Sequence, residues 1–358
     1  MKQKCVVAVP LPNELLARLA EHYEVLPWTE ARAISEAELV NRLPGAQGLL
    51  CTLTSPVTPA MIEVADQLKV ISTISVGVDH IDLLAASSAA IPVGHTPGVL
   101  VDSTADLTLA LMLAVTRRVA EADRWIRSGH WTDGWQSDLL LGTDISQATI
   151  GIVGLGPIGE AVVTRLKGFG CRVLTWNRTP KQVPGAEPVA LDALFAQSDL
   201  VSLHTALTQE TTHIASRARL ASMPSGSSLI NTGRGLLVDE AALIDEVQSG
   251  RLKAGLDVFV NEPLPVDHPF KRLDNVVVLP HVGSATAATR DAMVARAFDN
   301  LHAGLAGHRV PFCANPEVYA VEDYRSFTSG SGRNAFARPR CSLRRSFSKS
   351  GWFLFSTT

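Results

Sequence analysis

The chain has 358 residues, 46% of them hydrophobic and 19% charged, with a net charge of −3. That length can fill two domains with their own cores, the charge gives no reason to expect nucleic acid, and no run reaches the roughly 18 apolar residues of a membrane span. Its five cysteines (Cys5, Cys51, Cys171, Cys313, Cys341) are scattered and odd in number, with no C-x-x-C pair, which points to reduced thiols in a cytosolic protein and to neither a disulfide framework nor a metal site.

Residues 1–10 start basic and turn apolar, but Pro10 and Pro12 cut the run short, so a first strand over 6–9 is expected in place of a signal peptide. Strands over 47–51, 70–75 and 92–94 then alternate with helices over 13–22, 35–41, 59–66 and 80–87, which is the grammar of a parallel sheet covered on both faces. One long helix over 102–128 follows, with Leu107, Leu111, Met112 and Val115 at helical spacing. Asp79, Asp102 and Asp106 read as helix-start or capping acids. Further strands are expected at 149–153, 172–176, 200–203, 228–231, 254–258 and 276–279. The fold class is therefore α/β: two Rossmann-like or flavodoxin-like units with parallel sheets, the second inserted into the first. Residues 1–99 and 287–320 form the outer unit, with a closing helix over 287–306, and 100–286 form the inserted one. Residues 321–358 differ. They are Ser-rich and aperiodic, and they carry seven basic residues against two acidic, a net of +5 that leaves −8 for the rest; their composition predicts a disordered appendage.

Within the inserted unit, Gly154-Leu155-Gly156-Pro157-Ile158-Gly159 stands between a buried strand and a helix. The first glycine permits a tight turn, the second lets backbone approach a pyrophosphate, and the third lets the helix sit close on the strand with its N-terminal amides facing the anion. About 20 residues further on, an NAD site carries an acid for the ribose hydroxyls. This chain has Asn177-Arg178-Thr179 there. Arg178 offers a 2′-phosphate a charge-assisted contact, and Asn177 and Thr179 add neutral hydrogen bonds. NADP(H) is thus expected over NAD(H), against the bland reading of Arg178 as a solvated loop cation.

Three more segments each put one charged or titratable group just past an expected strand: Arg234 in 230–235, Glu262 in 255–263 and His281 in 279–284. Strand ends in such a fold converge on one cleft, so the three can meet. One reaction such a trio fits beside a nicotinamide is reduction of a carbonyl next to a carboxylate, which needs a cation for the carboxylate, a proton for the carbonyl oxygen and a hydride for its carbon. Arg234 supplies the first, through two donors. His281 supplies the proton, and Glu262 orients its ring. Leu53, past the strand ending at Cys51, and the tryptophans Trp131 and Trp135 are expected at the border of the substrate pocket; the bland alternative is that both tryptophans pack a dimer interface.

Together with Thr73-Ile74-Ser75-Val76-Gly77-Val78-Asp79, these segments resemble the D-isomer-specific 2-hydroxyacid dehydrogenase family, and within it the NADPH-dependent glyoxylate, hydroxypyruvate and 2-ketogluconate reductase branch. The likeness runs from about residue 4 to 320; similar proteins stop near Asn315-Pro316, so the tail lies outside it. The resemblance implies the same catalytic roles for Arg234, Glu262 and His281. It implies that the backbone amides of Val76 and Gly77, with Leu53, Ser284 and Trp135, meet the substrate. It also implies a cofactor site made by Thr104, Leu155, Gly156, Pro157, Ile158, Asn177, Arg178, Thr179, His204, Thr205, Ala206, Thr232, Gly233 and Gly283, joined by Arg234 and His281, with Asp257 near the nicotinamide amide. It further implies a homodimer built on the long helix, with a tryptophan of the 131–135 region reaching the neighbouring subunit's site. Two rivals share the fold: an NAD-linked 2-hydroxyacid dehydrogenase and a non-enzymatic, dinucleotide-binding corepressor.

Overall fold

The computed structural model describes residues 1–320; the basic tail at 321–358 lies outside the described residues. A first sheet holds β1 (Lys4–Val7), β2 (Glu24–Pro27), β3 (Gly48–Cys51), β4 (Val70–Thr73) and β5 (Val93–Gly94), in the order β2-β1-β3-β4-β5. A second holds β6 (Thr149–Val153), β7 (Arg172–Trp176), β8 (Glu187–Pro188), β9 (Leu200–Leu203), β10 (Ser228–Asn231), β11 (Lys253–Leu256) and β12 (Val276–Val278), in the order β12-β11-β10-β9-β6-β7-β8. All pairings are parallel. The inner strands β3, β4, β9 and β10 are buried at every residue, which is why they read as continuous apolar or small-residue runs.

Both faces of both sheets are covered, and alternation along the strands decides which core each residue joins. Val6, Leu49 and Ile71 pack under α2 (Glu36–Arg42), α3 (Pro59–Val64) and α4 (Leu83–Ser88). Cys5, Val7, Leu50 and Val70 face the other way, onto α1 (Asn13–His22) and the closing helix. In the second sheet, Ile150, Ile152 and Val173 pack with α5 (Val101–Thr116) and α7 (Pro157–Leu166). Val153, Leu174 and Val201 pack with α8 (Leu191–Gln197), α9 (Arg217–Ser222) and α10 (Glu240–Gln248).

The expected long helix is broken. It ends at Thr116, and α6 (Val119–Arg127) starts after Arg118, whose φ is +52°. Thr143 N–H takes the Thr116 carbonyl at 2.9 Å, so a later loop satisfies an acceptor that a continuous helix would have used. Two short strands were not legible. β2 ends on Pro27, and β8 has two residues, one of them Pro188; proline gives the ladder no donor and is tolerated at edges, where both strands lie.

After the second sheet the chain returns as α11 (Ala287–Leu305) and packs on β3, β4 and β5. Ser72 Oγ donates to the Ala297 carbonyl at 2.8 Å. Asn300 ties down the crossover, donating to the His95 carbonyl at 2.9 Å and accepting from Phe312 N–H at 3.1 Å. At Gly304 a Cβ would stand 2.5 Å from Val70 Cβ. Gly304→Val should therefore overpack this contact and cost about 1–3 kcal/mol, seen as a lower urea midpoint at unchanged slope; an unaltered midpoint would mean that α11 does not need this close approach.

Candidate active site

Because the strands of the second sheet are parallel, the loops after β6, β7, β9, β10, β11 and β12 all leave from one edge. After β6, Gly154 turns with φ +101°, and a Cβ there would lie 2.8 Å from His204 backbone. A Cβ on Gly159 would lie 2.0 Å from the Gly154 carbonyl oxygen. Gly156 caps α7, Pro157 fills its first turn, and the space a Gly156 Cβ would occupy is open. The outer two glycines thus answer to packing, while the middle one leaves room over a helix N-terminus for phosphate. Leu155 and Ile158 flank it as part of the core beneath.

After β7, Asn177 Oδ1 accepts from Leu155 N–H at 2.9 Å and its Nδ2 donates to the Thr179 carbonyl at 2.8 Å. The residue expected to meet ribose therefore also locks the turn to the glycine loop, with Arg178 and Thr179 exposed beside it. Lys181, which the sequence reading passed over, pairs with Glu160 of α7 and donates to the Leu155 carbonyl at 3.4 Å; a second base three positions past Arg178 was the available signal. After β9, burial pushes His204 down to about 4, and its Nε2 meets Ser202 Oγ at 2.9 Å. Ala206 accepts from Thr211 Oγ1 at 2.7 Å, and the buried Thr205 Oγ1 has no partner in the described structure. An open cradle above Gly156, a helix N-terminus and an unspent buried hydroxyl fit a dinucleotide.

The loop after β10 is gripped by the buried Asn231, which donates to the Arg234 carbonyl at 2.8 Å and accepts from Gly233 N–H at 3.0 Å. Thr232 meets Thr108 hydroxyl to hydroxyl at 3.0 Å. Arg234 Nε donates to both oxygens of Asp79, at 3.0 and 3.1 Å, and Nη1 donates to the Gly233 carbonyl at 2.9 Å. Nη2 lies against Gly77, where a Cβ would be 1.8 Å away. Arg234 and the Val76–Gly77 backbone, far apart in sequence, are therefore brought together.

Beyond β11, Asp257 is 1% exposed; Val282 and Gly283 N–H donate to its two carboxylate oxygens at 2.8 Å each, and His281 N–H donates to its carbonyl at 3.0 Å. Burial raises the Asp257 carboxyl, and these amides work against that rise. Its carboxylate thus holds the 281–283 turn, in which His281 has φ +55°, a region costly for a residue with a side chain. Thr104 Oγ1 donates to the Gly283 carbonyl at 3.2 Å, so Thr104, Asp257 and Gly283 are brought together. Glu262 Oε2 stands 2.8 Å from His281 Nδ1, and its Oε1 accepts from Phe259 N–H at 3.0 Å. Burial works to raise the Glu262 carboxyl, but the His281 bond and charge, the Phe259 amide and the Arg234 charge outweigh it, and the group lies below the usual carboxylate range. The Nδ1 contact leaves Nε2 of His281 without a hydrogen-bond partner among the described residues.

Leu53 and Ser284 are half-buried in the loops after β3 and β12. Trp135 is not brought in: it is 85% exposed, and nothing among the described residues buries it. Asp79 requires a correction. Asp82, not Asp79, caps α4, accepting from Ala85 N–H at 2.8 Å. Asp79 and His80 form a turn, and Ile81 then bridges Val57 (Val57 N–H to the His80 carbonyl 2.8 Å, Asp82 N–H to the Val57 carbonyl 3.0 Å), which delays the helix and leaves Asp79 to Arg234. Asp102 and Asp106 pair with Arg165 of α7 at 3.0 and 2.6 Å, which ties α5 to the glycine-loop helix.

Residues 109–283 match the family described as D-isomer specific 2-hydroxyacid dehydrogenase, NAD binding domain. A glyoxylate reductase of Korarchaeum cryptofilum is 39% identical over 326 residues, 90% of this chain and 98% of that protein. A glyoxylate/hydroxypyruvate reductase B of Yersinia enterocolitica is 40% identical over 89% of this chain and 99% of its own length. The chain belongs to the D-isomer specific 2-hydroxyacid dehydrogenases. Among solved structures, an NADPH-dependent glyoxylate/hydroxypyruvate reductase of Sinorhizobium meliloti in complex with NADP and malonate is 29% identical, with a TM-score of 0.78 over 88% of this chain and 98% of that one. Membership makes the chain an oxidoreductase with a nicotinamide-dinucleotide site. Among the described residues, no helix is long and apolar enough to cross a membrane, and no three His, Cys, Asp or Glu side chains are grouped to hold a metal ion.

His80 lies behind the Asp79 loop, its Nε2 3.1 Å from Thr73 Oγ1 and its Nδ1 buried without a partner among the described residues. Burial, with Arg234 adding and Asp79 opposing, pushes it down to about 4 from an ordinary 6.5. The unfolded chain then binds the proton first, so His80 withdraws stability as pH falls from 6.5 toward 4. His80→Gln should flatten the fall of the urea midpoint over that window relative to the unsubstituted chain; parallel curves would show that His80 does not titrate this way.

Proposed function

We propose that this dehydrogenase reduces small 2-keto acids, glyoxylate and hydroxypyruvate foremost and 2-ketogluconate as a further candidate, to D-2-hydroxy acids with NADPH. The observation that carries the reading is the 2.8 Å contact between His281 Nδ1 and Glu262 in the cluster that also holds Arg234. The reduced nicotinamide, when bound, supplies the hydride. Arg234 takes the substrate's carboxylate and carbonyl oxygen, helped by the amides of Val76 and Gly77. Glu262, kept ionised, holds the Nδ1 proton of His281, and Nε2 gives its proton to the carbonyl oxygen as negative charge develops there. Asn177, Arg178 and Thr179, with no acid among them, support a 2′-phosphate partner. Residues 1–99 with 287–320 act as the substrate unit and 100–286 as the cofactor unit.

We further infer a cytosolic homodimer. Val119, Ile126, Trp131 and Leu141 are each more than half exposed on α6 and the loop beyond it, an apolar face that a second copy would cover. Placing Trp135 in the neighbouring subunit's site would account for its exposure.

The test follows loss of the reduced cofactor's near-ultraviolet absorbance with NADPH and NADH separately, against glyoxylate, hydroxypyruvate and 2-ketogluconate. Faster consumption of NADPH is expected, and no consumption by folded protein would remove the reading. His281→Ala should lower kcat by about 10²–10⁴-fold at unchanged cofactor affinity, and Arg178→Asp should shift preference toward NADH; an unmoved preference would place the 2′-phosphate elsewhere. Val119→Asp with Ile126→Asp should convert a dimer to a monomer in light scattering, and a retained dimer would move the interface off α6.

A further inference from the structure

We propose that Asp79 is the positioning residue of the substrate site: by taking Nε of Arg234 it aims Nη2 at the Gly77 backbone, where the substrate's carboxylate is to be received. The proposal rests on the reading of Arg234 as the carboxylate-binding cation. Three edges of the guanidinium are accounted for separately. Nε spends its proton on Asp79, at 3.0 and 3.1 Å from the two oxygens, and Nη1 donates to the Gly233 carbonyl at 2.9 Å. Nη2 is the nitrogen for which no protein acceptor is recorded among the described residues, and it is the one against Gly77.

The contact is tight on both sides. A Cβ on residue 77 would lie 1.8 Å from Nη2 and 2.7 Å from Asp79 Oδ1, so glycine, the guanidinium and the aspartate fill one space. The loop that carries Gly77 is itself braced: Ser75 Oγ donates to the Gly77 carbonyl at 2.7 Å, and Thr73 Oγ1 meets Ser75 Oγ at 2.8 Å and His80 Nε2 at 3.1 Å. Asp79 lies in the loop after β4 of the first sheet and Arg234 in the loop after β10 of the second, so the pair also ties the two units together at the cleft. No helix cap competes for Asp79, since Asp82 performs that role.

Electrostatics alone argues against placing a carboxylate here. Asp79 repels an incoming keto-acid anion and offsets part of the Arg234 charge. Its presence is explained by orientation: a planar fork held at Nε presents its remaining donors in a fixed direction, and a positioned donor is worth more than a free cation. The two effects have opposite signs, which makes them separable.

The test measures KM for glyoxylate, inhibition by oxalate and cofactor affinity in Asp79→Asn, Asp79→Glu, Arg234→Lys and the Asp79→Asn/Arg234→Lys double variant. Positioning predicts that Asp79→Asn raises KM and the oxalate inhibition constant about 10- to 100-fold, with cofactor affinity unchanged and Asp79→Glu restoring part of the loss. Lysine offers no Nε fork, so Asp79→Asn should add little to Arg234→Lys. If Asp79→Asn leaves KM unchanged or lowers it, charge relief outweighs orientation and the proposal is overturned. An equal loss from Asp79→Asn whether or not Arg234→Lys is also present would overturn it as well, because Asp79 would then act without the guanidinium. An unmodified enzyme that turns over none of the keto acids would remove the parent reading together with this one, an outcome distinct from an active enzyme indifferent to Asp79.

Discussion

Parallel pairing is the constraint from which the rest of this structure follows. Each strand of both sheets runs the same way, so each must be followed by a crossover that carries the chain back, and the carboxyl ends of a sheet share one edge. The glycine loop, the Asn177–Thr179 turn and the segments bearing Arg234, Glu262 and His281 are all such ends. None of them is near another in sequence, and the ladder alone makes them neighbours. The return of α11 onto the first sheet, with Gly304 against Val70, keeps residues 73–79 opposite that edge.

Within the site, backbone and side chains divide the work of holding charge. Asp257 is buried and spent on the amides of Val282 and Gly283, which fixes a turn that places His281 in a left-handed conformation. Glu262 is then free to face the imidazole. His80 and His204, both pushed down to about 4 by burial, are neutral near pH 7, so they add no cations beside Arg234 or the phosphate cradle. The proposed reaction assigns the proton transfer to His281, whose ring is oriented by Glu262.

Much of this was legible because local chemistry is strong where it was read. The glycine fingerprint demands a strand before it and a helix after it, and β6 and α7 stand there. The strands at β7, β9 and β10 are apolar runs bounded by turn residues and were placed to the residue. Elsewhere the decisive contact was distant. The helix expected through residue 128 breaks at Arg118 because Thr143, far along the chain, bonds Thr116. Asp79 looked like a helix-start acid because Asp82, the true cap, is only three positions on, and the bridge to Val57 that moves the helix is invisible in the local pattern. Lys181 shows in the sequence only as a second base past Arg178, and folding sets it beside Leu155 and Glu160.

The residues by themselves determined the fold class, the dinucleotide cradle and the three polar groups past strand ends, since periodicity, glycine geometry and residue chemistry act within a few positions. Tertiary structure decided which partners those groups take. Arg234 is held by an aspartate 155 positions away, and His281 is set by Asp257 and Glu262 on another strand's loop. An ion pair or a buried carboxylate has no sequence period, so its partner is chosen by packing alone.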